Sequence, residues 1–305
     1  MPPPPFNYDL SSTVYEASRF RTFQEALTAA IADFAEHGYD EERRIEYWTA
    51  ILRELAGRKL GPVETREAIV TRSLQVIYDR EVKRERILKQ HPEVPKFTLQ
   101  RIAPELRGEL DRRIVASTNL IKLHREKRIE KVLQRFQGWA TSIPVGGSRA
   151  IEKREVKKSV GRSLESMDFA ERRVAVDQSH KLISSISAIL AQQSGAIVAV
   201  WHQHFTQDPR HTHKQREGNC YVVREGWAYQ EGYIKKDPHL KDDMTVQGKP
   251  SGFTDLLTEP GFEINCRCTY TWFTDLSTVA RIAPQMITMK GHKYLDGGNS
   301  GSLAA

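Results

Sequence analysis

Two stretches decide the fold: AIVAVWHQHFTQDPRHTHKQREGNCYVVREGWAYQEGY (residues 196–233) and, after a loop, EPGFEINCRCTYTWF (residues 259–273). All three cysteines (Cys220, Cys266, Cys268) lie between positions 196 and 273. So do five of the ten histidines (His202, His204, His211, His213, His239) and three of the five tryptophans (Trp201, Trp227, Trp272). AIVAVW is the first apolar, β-branched run of the chain and predicts a strand. CYVVREGWAY predicts a hairpin turning at Glu225 and Gly226, and INCRCTYTW alternates like a further strand. Short strands after a long helical sequence predict an α+β fold, mostly helical in its N-terminal two thirds, with a small antiparallel sheet in a C-terminal module.

On a strand, side chains alternate with period two, so Cys266 and Cys268 share one face and Arg267 takes the other. Cys220 opens the predicted hairpin and His213 lies seven residues before it. Two thiolates from one element with a His and a Cys from another suit a tetrahedral zinc site, with His213, Cys220, Cys266 and Cys268 as candidate ligands. The alternative is buried thiols beside surface histidines, because a C-x-C pair is less specific than C-x-x-C. Zinc is the candidate cofactor and the sequence demands no other. The histidines near Asp208 also raise a metal-dependent nuclease, but no glutamate or second aspartate sits at a matching position. Asp208-Pro209-Arg210 reads as a turn.

Outward from this module the chain is helical. Residues 1–8, MPPPPFNY, form a proline-rich arm. Phe23, Leu27, Ile31 and Phe34 recur at helical steps, with Gly38 as the C-terminal cap. A second helix follows from Asp40, carrying Ile45, Trp48, Ile51, Leu52 and Leu55 and ending near Gly57, and Pro62 opens a third. These helices carry no paired carboxylates with a histidine and no phosphate loop, so they read as a surface for protein contact. From position 98 to 136 the pattern is helical again, with a break expected around Pro104 and Gly108. A short basic helix follows, and Asp168 is the candidate cap of a long helix closed by Gly195. The expected division is residues 1–97 as a docking region, 98–167 as a basic helical stalk, 168–280 as the α+β module and 281–305 as a flexible tail.

Composition supports a water-exposed protein: 39% hydrophobic and 28% charged residues, and no apolar run long enough to span a bilayer. The start lacks the basic and apolar regions of a signal peptide, so the chain is expected to stay in the cytoplasm of the cell that makes it. An odd number of cysteines, two of them one residue apart, argues against a disulfide framework. Residues 1–60 hold 7 Lys and Arg against 10 Asp and Glu, whereas residues 111–160 hold 13 against 5, a net of +8. That asymmetry predicts contact of the middle region with a polyanion, through Arg112, Arg113, Lys122, Arg125, Lys127, Arg128, Lys131 and Arg135. The plainer alternative is a solvated charged face.

The order of a basic helix, the helix VDQSHKLISSISAILAQQSGA, a strand ending in Trp201, the turn with Asp208, Arg210 and His211, and finally Pro260 with Asn265-Cys266-Arg267-Cys268 resembles the phage Mu F-like head morphogenesis family of minor capsid proteins. The resemblance covers roughly residues 103–273 and is most specific in its ending, NCRC after Pro-Gly. The family commonly places a histidine and a glycine further past the aspartate, whereas here His211 and His213 come early and Gly218 follows. The resemblance implies a non-enzymatic minor head protein inside a tailed-phage virion. Its partners would be the portal protein, the major capsid protein or both, and double-stranded DNA bound without sequence preference. The rival classes are a metal-dependent nuclease or toxin-like enzyme using the His/Cys cluster, and a free-standing DNA-binding protein.

Overall fold

The computed structural model describes residues 13–39, 42–147, 153–165, 167–204, 210–240 and 266–298. The fold is α+β: a long helical sequence, then a three-stranded antiparallel sheet near the C-terminus. It divides into two compact units, Met1–Ile69 with Ser117–Val174, and Val70–Ala116 with Ala175–Ala305. Each unit draws on two separate segments, so neither follows the boundaries expected at 97, 167 and 280. In particular, the segment expected to form a stalk is shared between the two.

The first unit is a helical bundle. Its elements are α1 (Thr13–Ser18), α2 (Phe23–His37), α3 (Glu42–Leu60), the start of α4 (Val63–Tyr78), the second part of α5 (Lys96–Ala140), α6 (Lys153–Glu165) and the start of α7 (Met167–Gln193). The predicted stripe Phe23, Leu27, Ile31 and Phe34 is buried against Tyr47, Trp48, Ile51 and Leu52 of α3 and Val132, Leu133 and Phe136 of α5. Thr22 caps α2 through a reciprocal box with Glu25, which satisfies backbone donors the first turn leaves unpaired. At its other end Gly38 adopts φ 77, as expected of a helix-closing glycine. Space demands glycine there too, because a Cβ would stand 1.9 Å from the Pro144 carbonyl oxygen. The α3 helix runs past Gly57 to Leu60, and the left-handed Gly61 ends it.

Several polar groups buried inside this bundle are paired. Trp48 Nε1 donates to Asp33 at 2.7 Å and Tyr47 Oη to Glu16 at 3.0 Å. Arg125 donates through Nε to Glu171 at 2.6 Å and through its terminal nitrogens to the Gly61 and Leu60 carbonyls at 2.9 and 3.2 Å. Glu171 also pairs with Arg66 at 3.0 Å. One buried guanidinium therefore closes the open carbonyls of α3 and neutralises a buried carboxylate, as such groups require.

The second unit holds the sheet. Strands β1 (Val198–His202), β2 (Cys220–Val222) and β3 (Thr269–Phe273) lie in the order β2-β1-β3, with Val200 opposite Cys220 on one side and Thr271 on the other. Both faces are covered, which explains why AIVAVW is apolar throughout rather than alternating. On one face Ala199, Trp201, Tyr221, Tyr270 and Trp272 pack with Ala191, Cys266 and Cys268. On the other, Val198, Cys220 and Val222 pack with Ala228, Ile234, Leu276, Val279 and Met286.

Three expectations are corrected in this unit. CYVVREGWAY is not a hairpin: β2 ends at Val222 and the chain turns at Gly226 into a short helix α9 (Trp227–Gln230), after the equally short α8 (His211–Lys214). Gly226 is pressed onto the residues that lead into β1, where a Cβ would lie 2.8 Å from the Ala196 carbonyl oxygen and 3.0 Å from Ile197 Cα. The α5 helix is unbroken through Pro104 and Gly108, since Leu99, Ile102, Leu106 and Leu110 are all buried on one side and their packing outweighs the proline cost. Residues 281–298 are not a flexible tail: α10 (Leu276–Ile282), a 3-10 turn (Pro284–Met286) and α11 (Met289–Gly298) are formed there, and Met286 and Ile287 belong to the core under the sheet. Residues 299–305 lie outside the described ones.

The sheet is tied to its neighbours by polar groups far away in sequence. Trp272 Nε1 donates to Ser187 Oγ of α7 at 2.9 Å, and that oxygen lies 3.1 Å from His91 Nε2. The His91 ring stacks on Trp272 at 6.3 Å and 7°. Glu93 accepts from the Thr274 and Asp275 backbone N–H groups and from Thr274 Oγ1 at 3.0 Å. Asp275 in turn caps α10 by accepting from Thr278 N at 2.8 Å.

Candidate metal centre

The β1–β2 connection positions the first candidate ligand. After β1, Glu217 accepts from the Gln203 backbone N–H and lies 3.6 Å from His202 Nδ1. Gly218, at φ 75, turns the chain so that its N–H reaches the Trp201 carbonyl at 2.9 Å. These contacts fold α8 back beside the strand it follows. His213 is thereby buried, its ring edge-on to Trp201 with centroids 5.4 Å apart.

The approach to β3 positions the other two. Cys266 and Cys268 are both buried with the aromatic residues of that sheet face, while Arg267 between them is exposed. This is the alternation expected of the segment, although β3 itself begins only at Thr269. His213 Nδ1 lies 3.5 Å from Cys268 Sγ and 3.8 Å from Cys266 Sγ. The three ligand atoms all fall within 4.8 Å of one another. A metal with bonds of about 2.3 Å to sulfur and about 2.0 Å to nitrogen sets a tetrahedral S···N edge of about 3.5 Å, so the donor set fits such an ion. The cluster can bind a metal.

Without an ion the Cys268 thiol holds its proton. The Cys268 thiol is pushed far up by its hydrogen bond with Cys266 and then by burial, against a smaller opposite pull from the His204 backbone and the Trp201 indole. Metal binding at these sulfurs would therefore release protons.

Cys220, the fourth expected ligand, is elsewhere. It pairs with Val200 in the register and so projects to the opposite sheet face, among Val198, Val222 and Ile234. Burial raises its thiol to about 11, with Asp237 adding to the effect. The period-two alternation that unites Cys266 and Cys268 excludes Cys220 from their side. Asp208 and Asn265 lie outside the described residues. Arg210 and His211 are exposed at the start of α8 and take no part in the cluster.

The cations expected to meet DNA are spread over both units. Arg112 and Arg113, in the second, both pair with Glu109, and Arg113 Nη2 also donates to Ser185 Oγ at 2.7 Å. In the first unit Lys122 pairs with Glu67 at 3.1 Å, Arg135 donates to the Ser159 carbonyl at 2.9 Å and Arg128 is half-buried. Lys127 and Lys131 are exposed. Arg125 is the correction: it lies on the stripe of Ile121, Val132 and Phe136 and is buried in the ion pair with Glu171, out of reach of a polyanion.

Sequence reasoning missed His91, Ser187 and Glu93, which anchor β3. A lone histidine before a proline and a serine on an amphipathic helix carry no local signal of that role. No helix among the described residues is long and apolar enough to cross a membrane. Compared with protein-family models, curated proteins and solved structures, the chain matches none of them.

Proposed function

We propose that the chain is a non-enzymatic minor head protein of a tailed phage, located inside the head and bound to the portal or the major capsid protein. It assists head assembly and DNA packaging or ejection through sequence-independent contact with double-stranded DNA. The observation that carries this reading is the meeting of His213 with Cys266 and Cys268. The turn named in the resemblance, with Arg210 and His211, opens α8, and His213 of that same helix comes within 3.5 Å of Cys268 in the distant NCRC ending, across 55 residues of chain.

Within that reading zinc is the metal the cluster takes, held by His213, Cys266 and Cys268. Its role is to clamp α8 and the start of β3 onto the sheet. Contact with DNA falls to the exposed side of α5, where Lys127 and Lys131 stand clear of the bundle core.

The test is duplex affinity of the full chain as a function of salt. Each phosphate contact contributes a slope of about −0.9 in log affinity against log salt. Changing Lys127 and Lys131 to Gln together is expected to reduce the slope by up to about 2 on that scale, for any duplex sequence. An unchanged slope would reduce the charge to a solvated face, and failure of the chain to co-purify with portal or capsid would count against the assembly role.

A further inference from the structure

In the second unit, a cavity of about 270 Å³ opens between the segment that links α4 to α5 and the helix α7. The linking segment is a π-helical turn (Asp79–Lys83) followed by a 3-10 turn (Arg86–Gln90), joined by Glu85 in the left-handed conformation at φ 58. The far wall is the stretch that leads into β3. Arg80, Arg86, Lys89, His180, His204 and Arg267 all line the opening.

The charge of this cavity is unbalanced. Its one carboxylate, Glu81, is buried and taken by Arg80 at 2.7 Å. Among the described residues, the side chains of Arg86, Lys89 and Arg267 have no ion pair, and Asp177, one turn before His180, is paired with Lys181 at 2.8 Å. Three cations from three positions along the chain thus line one cavity with no ion-pair partner among the described residues, which is the arrangement that concentrates and holds an anion. The surplus is felt by His180. Its pKa is pushed down by burial first and then by Arg267 and His204, which leaves a neutral ring able to offer one N–H. Ser184 and Thr269 add hydroxyls to the same wall.

Size narrows the ligand. The volume is below the roughly 300–1,000 Å³ of pockets that enclose a whole small molecule. It suits a single multiply charged head that enters while the rest of its carrier stays outside.

We propose that this cavity is a phosphate-binding site, built from Arg86, Lys89 and Arg267 as charge partners and His180 and Ser184 as hydrogen-bonding groups. Its ligand is one phosphate group, supplied either by inorganic phosphate or by a DNA backbone. Only the second source rests on the DNA contact proposed above; the site itself does not.

The experiment is calorimetric titration of the full chain with inorganic phosphate at constant ionic strength, chloride being the reference salt. Saturable phosphate binding is expected, weakened about tenfold or more by Arg86→Gln or Lys89→Gln, because each removes a charge-assisted contact. Both positions are exposed, so the variants keep the fold. Lys127→Gln, in the other unit, should leave phosphate affinity unchanged. Absence of binding beyond that of chloride, or equal affinity in the wild type and both variants, overturns the proposal. A short duplex then assigns the source. Displacement of phosphate by the duplex, lost in Arg86→Gln, identifies the DNA backbone; simultaneous binding of both identifies free phosphate. The salt-slope test on Lys127 and Lys131 can fail without affecting this result, and the reverse also holds.

Discussion

Acid should unfold this protein by way of His91. The ring is 1% exposed, stacked flat on Trp272, and its Nε2 faces Ser187 Oγ at 3.1 Å while Nδ1 is buried without a hydrogen-bond partner. A charged imidazolium carries two N–H donors and would leave one of them unsatisfied in an apolar surround. Burial accordingly pushes the pKa of His91 down from 6.5 to about 3. In the unfolded chain the ring titrates near 6.5, so below that pH the unfolded state binds a proton that the folded state refuses. The stabilisation is complete above pH 6.5 and is lost as the pH falls toward 3. Each unit in that window is worth about 1.36 kcal/mol, which amounts to about 2 kcal/mol by pH 5. The assay is urea unfolding of the full chain at pH 7, 6 and 5, in parallel with His91→Phe. Phenylalanine keeps the stack on Trp272 and loses one hydrogen bond, a cost of about 1 kcal/mol that does not change with pH. Buried or capping carboxylates such as Asp275 also weaken the fold in acid, but they do so equally in both chains. The wild type should therefore lose about 2 kcal/mol more than the variant between pH 7 and 5. Parallel loss in the two chains would refute the reasoning and place the acid sensitivity elsewhere.

Glu171→Gln strips the buried Arg125 and the half-buried Arg66 of their shared carboxylate and should destabilise the first unit by about 3–5 kcal/mol, measured by chemical denaturation; a change under about 1 kcal/mol would mean that water replaces the pair. Gly38→Ala forces a methyl group into the Pro144 carbonyl at a left-handed backbone position and should lower stability by well over about 1 kcal/mol, whereas Gly57→Ala, which meets nothing within 4 Å and sits inside a helix, should raise it slightly. If zinc occupies the cluster, a chelator should lower the melting temperature of the full chain, Cys268→Ser should abolish the bound metal found by elemental analysis, and Cys220→Ser should leave metal content unchanged; equal loss in both variants would contradict the assignment of Cys220 to the opposite face.

The helices of the bundle and the existence of a small C-terminal sheet could be read from the chain, because apolar periodicity and glycine caps are local signals. Phe23 through Phe34 and the run AIVAVW carry their structure within a dozen residues. The pairing of Cys266 with Cys268 was legible for the same reason, since strand alternation alone decides which side chains share a face. Whether Cys220 joins them depended on which strand lies next to β1 and in what register, and no spacing reports that. Arg125 looked like its basic neighbours until Glu171, 46 residues later, and the end of α3, 64 residues earlier, were brought to it. Pro104 reads as a helix breaker and Gly297 and Gly298 as the mark of a loose end, yet burial of Leu99, Ile102 and Leu106 in one case and of Met286 and Ile287 just before α11 in the other overrode those preferences. Local propensity is worth a few kcal/mol at most, and contacts between distant segments add up to more; periodicity therefore determined the elements of this protein, while the partners of each charged or thiol side chain were decided only when tertiary packing brought remote segments together.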